Sequence, residues 1–157
     1  MKNRILALIA ALVVLAISLC SCSILFGSVD EQGDVTVVVE NTDGTYSVYG
    51  VYLEKVDNKS EGAKGILEYL NTRDDSLYLE MVDSTYGAYV SAIGNIRENP
   101  ADGIYVMVYT SVATDSYEGA PTVDYNGTTL YQSGVGLSGM NIEAGTVILF
   151  RAESSPF

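Results

Sequence analysis

The residue whose surroundings define its chemistry best is Cys22. Lys2 and Arg4 precede an apolar run, Ile5 to Ile17, which ends in Leu19-Cys20-Ser21-Cys22. A basic segment, an apolar segment and a small residue before a cysteine are typical of a bacterial lipoprotein signal. Such a signal is removed before the cysteine, whose sulfur then carries lipid. The sequence therefore predicts a lipoprotein signal peptide at residues 1–21 and lipid attachment at Cys22.

Two alternatives to this assignment stay open. Cys20 fits less well as the lipidated residue because a leucine, not a small residue, precedes it. Residues Ile5 to Phe26 are also long enough for an uncleaved transmembrane anchor, although Cys-Ser-Cys-Ser interrupts that run. With two or more acyl chains on Cys22, at about 0.8 kcal/mol per buried CH₂, anchorage is stable. We expect the chain to be held on the outer face of a bacterial cell membrane.

The rest of the composition excludes several kinds of chemistry. The chain has no histidine, which excludes Ser-His-Asp and Cys-His catalysis and imidazole-ligated metals. Loss of Lys2 and Arg4 with the signal leaves 6 basic against 20 acidic residues, a net charge of −14. Such a charge repels phosphate backbones, so no nucleic-acid partner is expected. Acylation of Cys22 leaves no free thiol and no disulfide.

Carboxylates are numerous, but none form a recognisable catalytic pair. Asp74-Asp75, Glu80, Asp83 and Glu98 lack both the spacing and the flanking apolar pocket that acid–base chemistry needs. The loops at Asp43 and Asp102 lack the EF-hand spacing of calcium ligands. A solvated acidic surface explains these residues, and the sequence predicts no enzyme and no metal site.

The elements that must position any binding residues are predicted to be one helix and six strands. Ala63, Ile66, Leu67 and Leu70 form one apolar stripe on a short helix, with Ser60 as its expected cap. Period-2 or β-branched runs predict strands at Val35–Val39, Tyr46–Val56, Leu77–Val82, Tyr86–Ile93, Ile104–Val112 and Thr146–Arg151. Turns are expected at Asn41–Gly44 and Asn99–Gly103. The predicted fold class is α+β: a β-grasp-like mixed sheet with one short helix packed across it, preceded by the signal and lipobox segment.

The C-terminal half carries a family resemblance. Tyr86-Gly87-Ala88-Tyr89-Val90-Ser91-Ala92-Ile93-Gly94 resembles the Gly-x-Tyr-Ile/Leu-Thr-Ser-Ile strand of the C-terminal β-domain of transcobalamin and intrinsic factor. The block Gly103–Tyr109 resembles that family's Tyr-Trp-x-x-Tyr strand, and Gly134-Val135-Gly136 with Ile142–Ile148 resembles its ending. Bacterial proteins with similar domains are mostly of unassigned function. The chain departs from the pattern at Val106, Thr146 and Ala92.

The resemblance implies a domain organisation and a candidate face. Residues 22–33 are then a tether, 34–153 the β-grasp domain with an insertion at 113–133 that carries its own hairpin, and 154–157 a tail. In the cobalamin carriers this domain covers a corrinoid against a separate helical domain; the sequence predicts no such helical domain, so this chain is expected to supply only half of such a site. The corresponding face would use Tyr86, Tyr89, Ser91, Tyr105 and Tyr109. The alternative is that these tyrosines are ordinary strand residues.

Two functions follow as expectations. The first is a cell-surface lipoprotein whose domain is a non-catalytic ligand-binding module, for cobalamin or a similar small molecule, acting with a partner such as a transporter. The second is a protein-interaction or structural module of the cell envelope with no small-molecule ligand.

Overall fold

The β-branched run near the start of the domain pairs with the tyrosine-containing run that follows it. In the computed structural model, which describes residues 32–73 and 77–154, β1 (Val35–Glu40) and β2 (Tyr46–Val51) form an antiparallel hairpin. Asp43 accepts hydrogen bonds from the backbone N–H and the hydroxyl of Thr45, at 3.0 and 2.7 Å. The predicted turn is confirmed, whereas β2 ends at Val51 and a 3-10 turn, Leu53–Lys55, replaces the last predicted strand residues.

The apolar stripe of the helix is confirmed. α1 (Gly62–Arg73) buries Ala63, Ile66, Leu67 and Leu70 completely. Its start differs from the prediction, because Ser60 lies inside a 3-10 turn, Lys59–Glu61, ahead of the helix. Gly65 is required by close packing, since a Cβ there would lie 2.1 Å from the carbonyl oxygen of Asn58.

Seven further strands follow the helix in the described residues. Their bounds are β3 (Leu79–Val82), β4 (Tyr89–Ile93), β5 (Ile96–Arg97), β6 (Ile104–Thr110), β7 (Thr122–Tyr125), β8 (Thr128–Gln132) and β9 (Val147–Ser154). Together with β1 and β2 they form a six-stranded sheet in the order β2-β1-β9-β6-β8-β7 and a three-stranded sheet in the order β3-β4-β5.

The first and last strands establish the topology of the large sheet. β9 lies beside β1 and runs parallel to it, with Thr36 opposite Val147, while the other pairings in this sheet are antiparallel. A parallel pair needs a long crossover, which here includes the helix. Within residues 32–73 and 77–154 the result is the predicted α+β fold, a β-grasp-like mixed sheet with a single α-helix packed on it.

The hairpin β7–β8 lies within residues 113–133 and joins the large sheet at β6. The large sheet curls so that its two edge strands, β2 and β7, approach each other. The rings of Tyr46 on β2 and Tyr125 on β7, the two edge strands, meet edge to face with centroids 5.3 Å apart. Each of the six strands contributes one buried residue to the core inside the curl: Val38, Val48, Tyr109, Tyr125, Leu130 and Leu149.

A second core lies on the other face of the sheet, between the sheet and α1. Alternate residues of β1, Val35, Val37 and Val39, pack there with Ile148 and Phe150 of β9. The side-chain period of two thus divides β1, β2, β6 and β9 between two interiors. Among the described residues, no helix is long and apolar enough to span a membrane. The signal peptide, Cys22, Asp74 and Asp75 lie outside the described residues.

Candidate functional site

Tyr109 is a core residue. It is 1% exposed inside the curled sheet, and its hydroxyl donates to the Glu153 carboxylate, with O–O distances of 3.0 and 3.1 Å. Burial, and then the hydrogen bond to Glu153, raise the pKa of Tyr109 to about 12. The structure therefore removes Tyr109 from the predicted ligand face.

The Tyr109 hydroxyl contacts the first of three charged side chains in a row, Glu153, Arg151 and Glu40. Arg151 Nε lies 3.1 Å from Glu153 Oε1 and 3.3 Å from Glu40 Oε2. The Arg151 Nε atom is buried and has no hydrogen-bond partner. Its contacts with Glu153 and Glu40 are therefore ion pairs only. Because two carboxylates flank one guanidinium, the row carries a net negative charge and is unsuited to an anionic ligand.

Ser91 and Tyr105 are also separated from the exposed tyrosines. β4 has a bulge: Glu80 pairs with Ala92 and Met81 with Val90, so Ser91 is the extra residue. Its side chain is nearly buried, and its hydroxyl donates to the Glu80 carbonyl at 3.4 Å. Tyr105 lies on β6, opposite Glu153 and half-buried on the curled face.

Tyr86 and Tyr89 are exposed. Tyr89 begins β4 of the three-stranded sheet, and Tyr86 lies in the turn between β3 and β4. Tyr89 pairs with Val82 across β4 and β3, and both side chains are about two-fifths exposed. Tyr86 is 92% exposed in the connecting turn. The turn is held by the Ser84 hydroxyl, which donates to the Gly87 carbonyl at 2.7 Å and accepts from the Tyr86 N–H at 3.2 Å.

The exposed side chains continue onto a neighbouring loop. A Cβ on Gly136 would lie 2.4 Å from the Tyr86 carbonyl oxygen, so only glycine permits this approach. The adjacent Val135 is exposed, and Tyr117, half exposed, lies beside Gly134. We call Val82, Tyr86, Tyr89, Tyr117 and Val135 together the aromatic strip.

Two residues that the family resemblance singled out, Tyr86 and Tyr89, lie in the aromatic strip, and Val135 lies in the Gly-Val-Gly block. Their role in ligand binding stays a prediction. Val82 and Tyr117 had no signal of their own, because their places in the strip depend on strand pairing and loop packing. The five predicted face residues are not brought together on one surface: two are in the strip, Tyr109 and Ser91 are buried, and Tyr105 lies on the curled face.

Acidic side chains border the strip. Asp83 follows Val82 and is 85% exposed, with its carboxylate 3.7 Å from Lys64 Nζ. Hydrogen bonding to Glu61, followed by the charge of Asp83, raises the pKa of Lys64. Glu118 is exposed next to Tyr117. A partner that covers the strip therefore meets negative charge at its rim.

Two cavities lie away from the strip. One, of about 300 Å³, is lined by Val56, Asp57, Asn58, Gly65, Glu68, Tyr69 and Thr72. The other, of about 230 Å³, is lined by Glu40, Asn41, Thr42, Gly44, Ile96, Arg151 and Ala152. In the described part of the chain, no three Asp, Glu, His or Cys side chains are grouped to hold a metal ion.

Comparison with known proteins adds evidence on the fold. No protein-family model matches this chain, and no curated protein matches it. A crystal structure of a candidate metal-binding protein from Ruminococcus gnavus ATCC 29149 is similar, with a TM-score of 0.52 and 12% sequence identity. The similarity covers 79% of this chain and 99% of that one. At this identity the likeness supports a shared fold and carries no residue roles.

Proposed function

We propose that this protein is a non-catalytic, lipid-anchored binding module that docks a partner protein through the aromatic strip. The observation that carries this proposal is the exposure of Tyr86, Tyr89 and Tyr117, with two valines, on three backbone segments in contact. Tyrosine gives a large contact area at low entropic cost and is enriched at protein interfaces.

The openness of the strip favours a partner over a ligand that this chain encloses alone. Tyr86 is almost fully exposed at the tip of a turn, and Tyr89 and Tyr117 are each about half exposed. Small-molecule sites usually bury most of their ligand in a concave pocket. A small molecule on the strip would remain uncovered until a second protein closed over it.

The second candidate function is a half-site for a corrinoid such as cobalamin, completed by that partner. Tyr86 and Tyr89 are both exposed and lie at positions where the transcobalamin-like resemblance expects ligand contacts. Their rings offer flat apolar surface and hydroxyl groups to the amide side chains of such a ligand.

The surroundings of the titrating groups support a non-catalytic role. Asp43 accepts from Thr45, which lowers its pKa, and Tyr78 donates to Glu80, which raises the pKa of Tyr78. Both are exposed and each has a local structural partner. Metal binding, the description given to the Ruminococcus gnavus protein, gains no support from the ligand types grouped in the described residues.

The test compares the strip with a matched tyrosine outside it. Tyr86→Ala with Tyr89→Ala should abolish partner capture from the cell envelope by the full lipidated chain. Tyr78→Ala should retain it, because Tyr78 is exposed to the same degree as Tyr89 but lies over Arg97, at 5.2 Å. Equal capture by all three chains would refute the proposed interface.

Titration of the same chains with cobalamin and cobinamide separates the two candidates. Saturable binding that requires Tyr86 and Tyr89, seen by calorimetry, would support the half-site. No binding up to millimolar concentration, with partner capture intact, would leave the protein-docking function alone.

Lipid attachment at Cys22 is tested separately. Mass spectrometry of the mature chain from the membrane fraction should show an acylated N-terminal Cys22. An unacylated chain that still begins at Met1 would instead favour an uncleaved anchor.

A further inference from the structure

The point at which the tether joins the domain defines one end of the large sheet. β1 begins at Val35, just after the tether. The Gly145 N–H donates to the Asp34 carbonyl at 2.7 Å, and the Ser111 N–H donates to the Val147 carbonyl at 3.0 Å. The start of β1, the start of β9 and the end of β6 therefore meet here. We call this the tether end.

The aromatic strip lies at the tether end. The chain leaves β6 after Thr110 and reaches Asp115, whose carbonyl accepts from the Gly134 N–H at 2.8 Å. Gly134 leads to Val135 and Gly136, which contacts the Tyr86 turn. Successive backbone contacts thus connect the end of β6 to the strip.

Strand β4 gives the same placement independently. It begins at Tyr89 and ends at Ile93. A Cβ on the next residue, Gly94, would lie 3.5 Å from the side chain of Val39, at the far end of β1. The Thr42 N–H donates to Asn95 Oδ1 at 3.4 Å, so the β1–β2 turn occupies that far end too. Tyr89 begins β4 at the opposite end, with the strip.

The tether sets an upper limit on the distance between the tether end and the membrane. From Cys22 to Gln32 the chain extends at most about 3.6 Å per residue, or roughly 36 Å. A six-residue strand spans about 20 Å. The tether end therefore lies within about 36 Å of Cys22, whereas the β1–β2 turn can lie about 20 Å farther away.

The negative charge around the aromatic strip favours a protein over a lipid surface as its partner. The mature chain carries a net charge of −14, and Asp83 and Glu118 border the strip. Anionic lipid headgroups repel such a surface. A basic protein surface attracts it.

We infer that the aromatic strip faces the membrane and docks on the extramembrane surface of an integral membrane protein with a basic rim. This inference rests on the proposed function, because it takes Cys22 as the anchor and the strip as the interface. It deepens that function by assigning the location and the charge of the partner.

The orientation is tested with the full lipidated chain in zwitterionic vesicles. Cys20 leaves with the signal and Cys22 is acylated, so one introduced cysteine is the unique thiol for a fluorescent donor. Glu118→Cys places the donor beside the strip, and Thr42→Cys places it in the β1–β2 turn. Energy transfer to a headgroup acceptor should be severalfold higher from position 118. Equal transfer, or higher transfer from position 42, overturns the inference.

The partner is tested by photocross-linking in intact cells. A benzophenone amino acid at position 86 should give an adduct with a protein that resists carbonate extraction of membranes, and the same group at position 42 should not. Asp83→Lys should lower the adduct yield severalfold, whereas Asp102→Lys, a reversal at another exposed aspartate, should not.

The remaining outcomes are distinguishable. Quenching of the position-118 donor by acyl-chain quenchers, with no adduct from position 86, would assign the strip to lipid and overturn the inference. An adduct only with soluble proteins would overturn it as well. A chain that fails to float with vesicles would instead refute the lipid anchor in the proposed function.

Discussion

Replacing Tyr109 with phenylalanine removes one oxygen atom from the core of the curled sheet and leaves the ring. The lost hydroxyl donates to Glu153 at 3.0 Å. Hydrogen bonds to charged groups contribute about 1.5–3 kcal/mol to stability. Glu153 keeps Arg151 at 3.1 Å and is 28% exposed, so water partly replaces the hydroxyl. We expect Tyr109→Phe to lose about 1–1.5 kcal/mol of unfolding free energy at pH 8.

The difference between the two proteins should depend on pH in a defined direction. The pKa of Tyr109 is about 12 in the folded chain against 10.0 for free tyrosine. The unfolded chain therefore loses this proton first, and the stabilisation present below pH 10 disappears as the pH rises toward 12. Two units correspond to at most about 2.7 kcal/mol, and solvent screening at Glu153 reduces this to about 1–1.5 kcal/mol.

The assay is urea unfolding followed by circular dichroism at pH 8, 10 and 11 for both proteins. The other tyrosines titrate in both chains, so their contribution cancels in the difference. Tyr86→Phe, at a 92% exposed position, should match the parent throughout. A Tyr109→Phe deficit that stays constant from pH 8 to 11 would show that Tyr109 and Glu153 are not coupled as described.

Three further changes test the packing that supports the aromatic strip and the helix. Leu67→Ala, at a fully buried helix position, should cost about 2–5 kcal/mol in thermal or urea unfolding. Gly136→Ala should lower both the melting temperature and partner capture, because its Cβ would meet the Tyr86 carbonyl at 2.4 Å. Asp115→Ala should cost about 1–3 kcal/mol, because the buried carboxylate accepts from the Asn141 backbone N–H at 2.8 Å and from its side-chain amide.

Each of these changes has a matched control. Glu68→Ala alters a half-buried position of the same helix whose contacts are long, at 3.9 Å to Lys64 and 3.5 Å to Asn58, and should change stability little. Gly139→Ala adds a Cβ whose nearest neighbour would lie 3.7 Å away, so it should be tolerated where Gly136→Ala is not. Asp102→Ala removes an exposed carboxylate that contacts Asn99 at 2.6 Å. Equal losses in a variant and its control would contradict the corresponding packing argument.

Local periodicity correctly predicted the elements in which apolar side chains recur on one face. The stripe from Ala63 to Leu70 is fully buried, and the Asp43-Gly44 turn formed where expected. The bounds were less predictable: Tyr52 to Val56 have strand-like side chains, yet the backbone N–H of Leu53 donates to Asp34 Oδ2 at 3.0 Å and a 3-10 turn forms. Such a contact between residues 19 positions apart leaves no mark in a local pattern.

The candidate site was predictable only in part for a similar reason. Tyr105 and Tyr109 are both tyrosines on one face of β6, but Tyr109 faces Leu149 in the middle of the sheet, where the curl closes over it. The closure depends on Tyr46 and Tyr125, almost 80 residues apart in sequence. No property of the strand itself distinguishes a tyrosine under the curl from one in solvent.

The parallel pairing of β1 and β9 has a mechanical consequence. The tether enters at the start of β1, and β9 ends at Ser154, at the opposite end of the sheet. A pulling force between these two points acts along both strands and stretches the hydrogen bonds between them together, instead of opening them one at a time. We expect a high rupture force in single-molecule pulling from residues 32 and 154. If the proposed anchor holds the chain at a cell surface, this geometry resists stretching of the domain away from it.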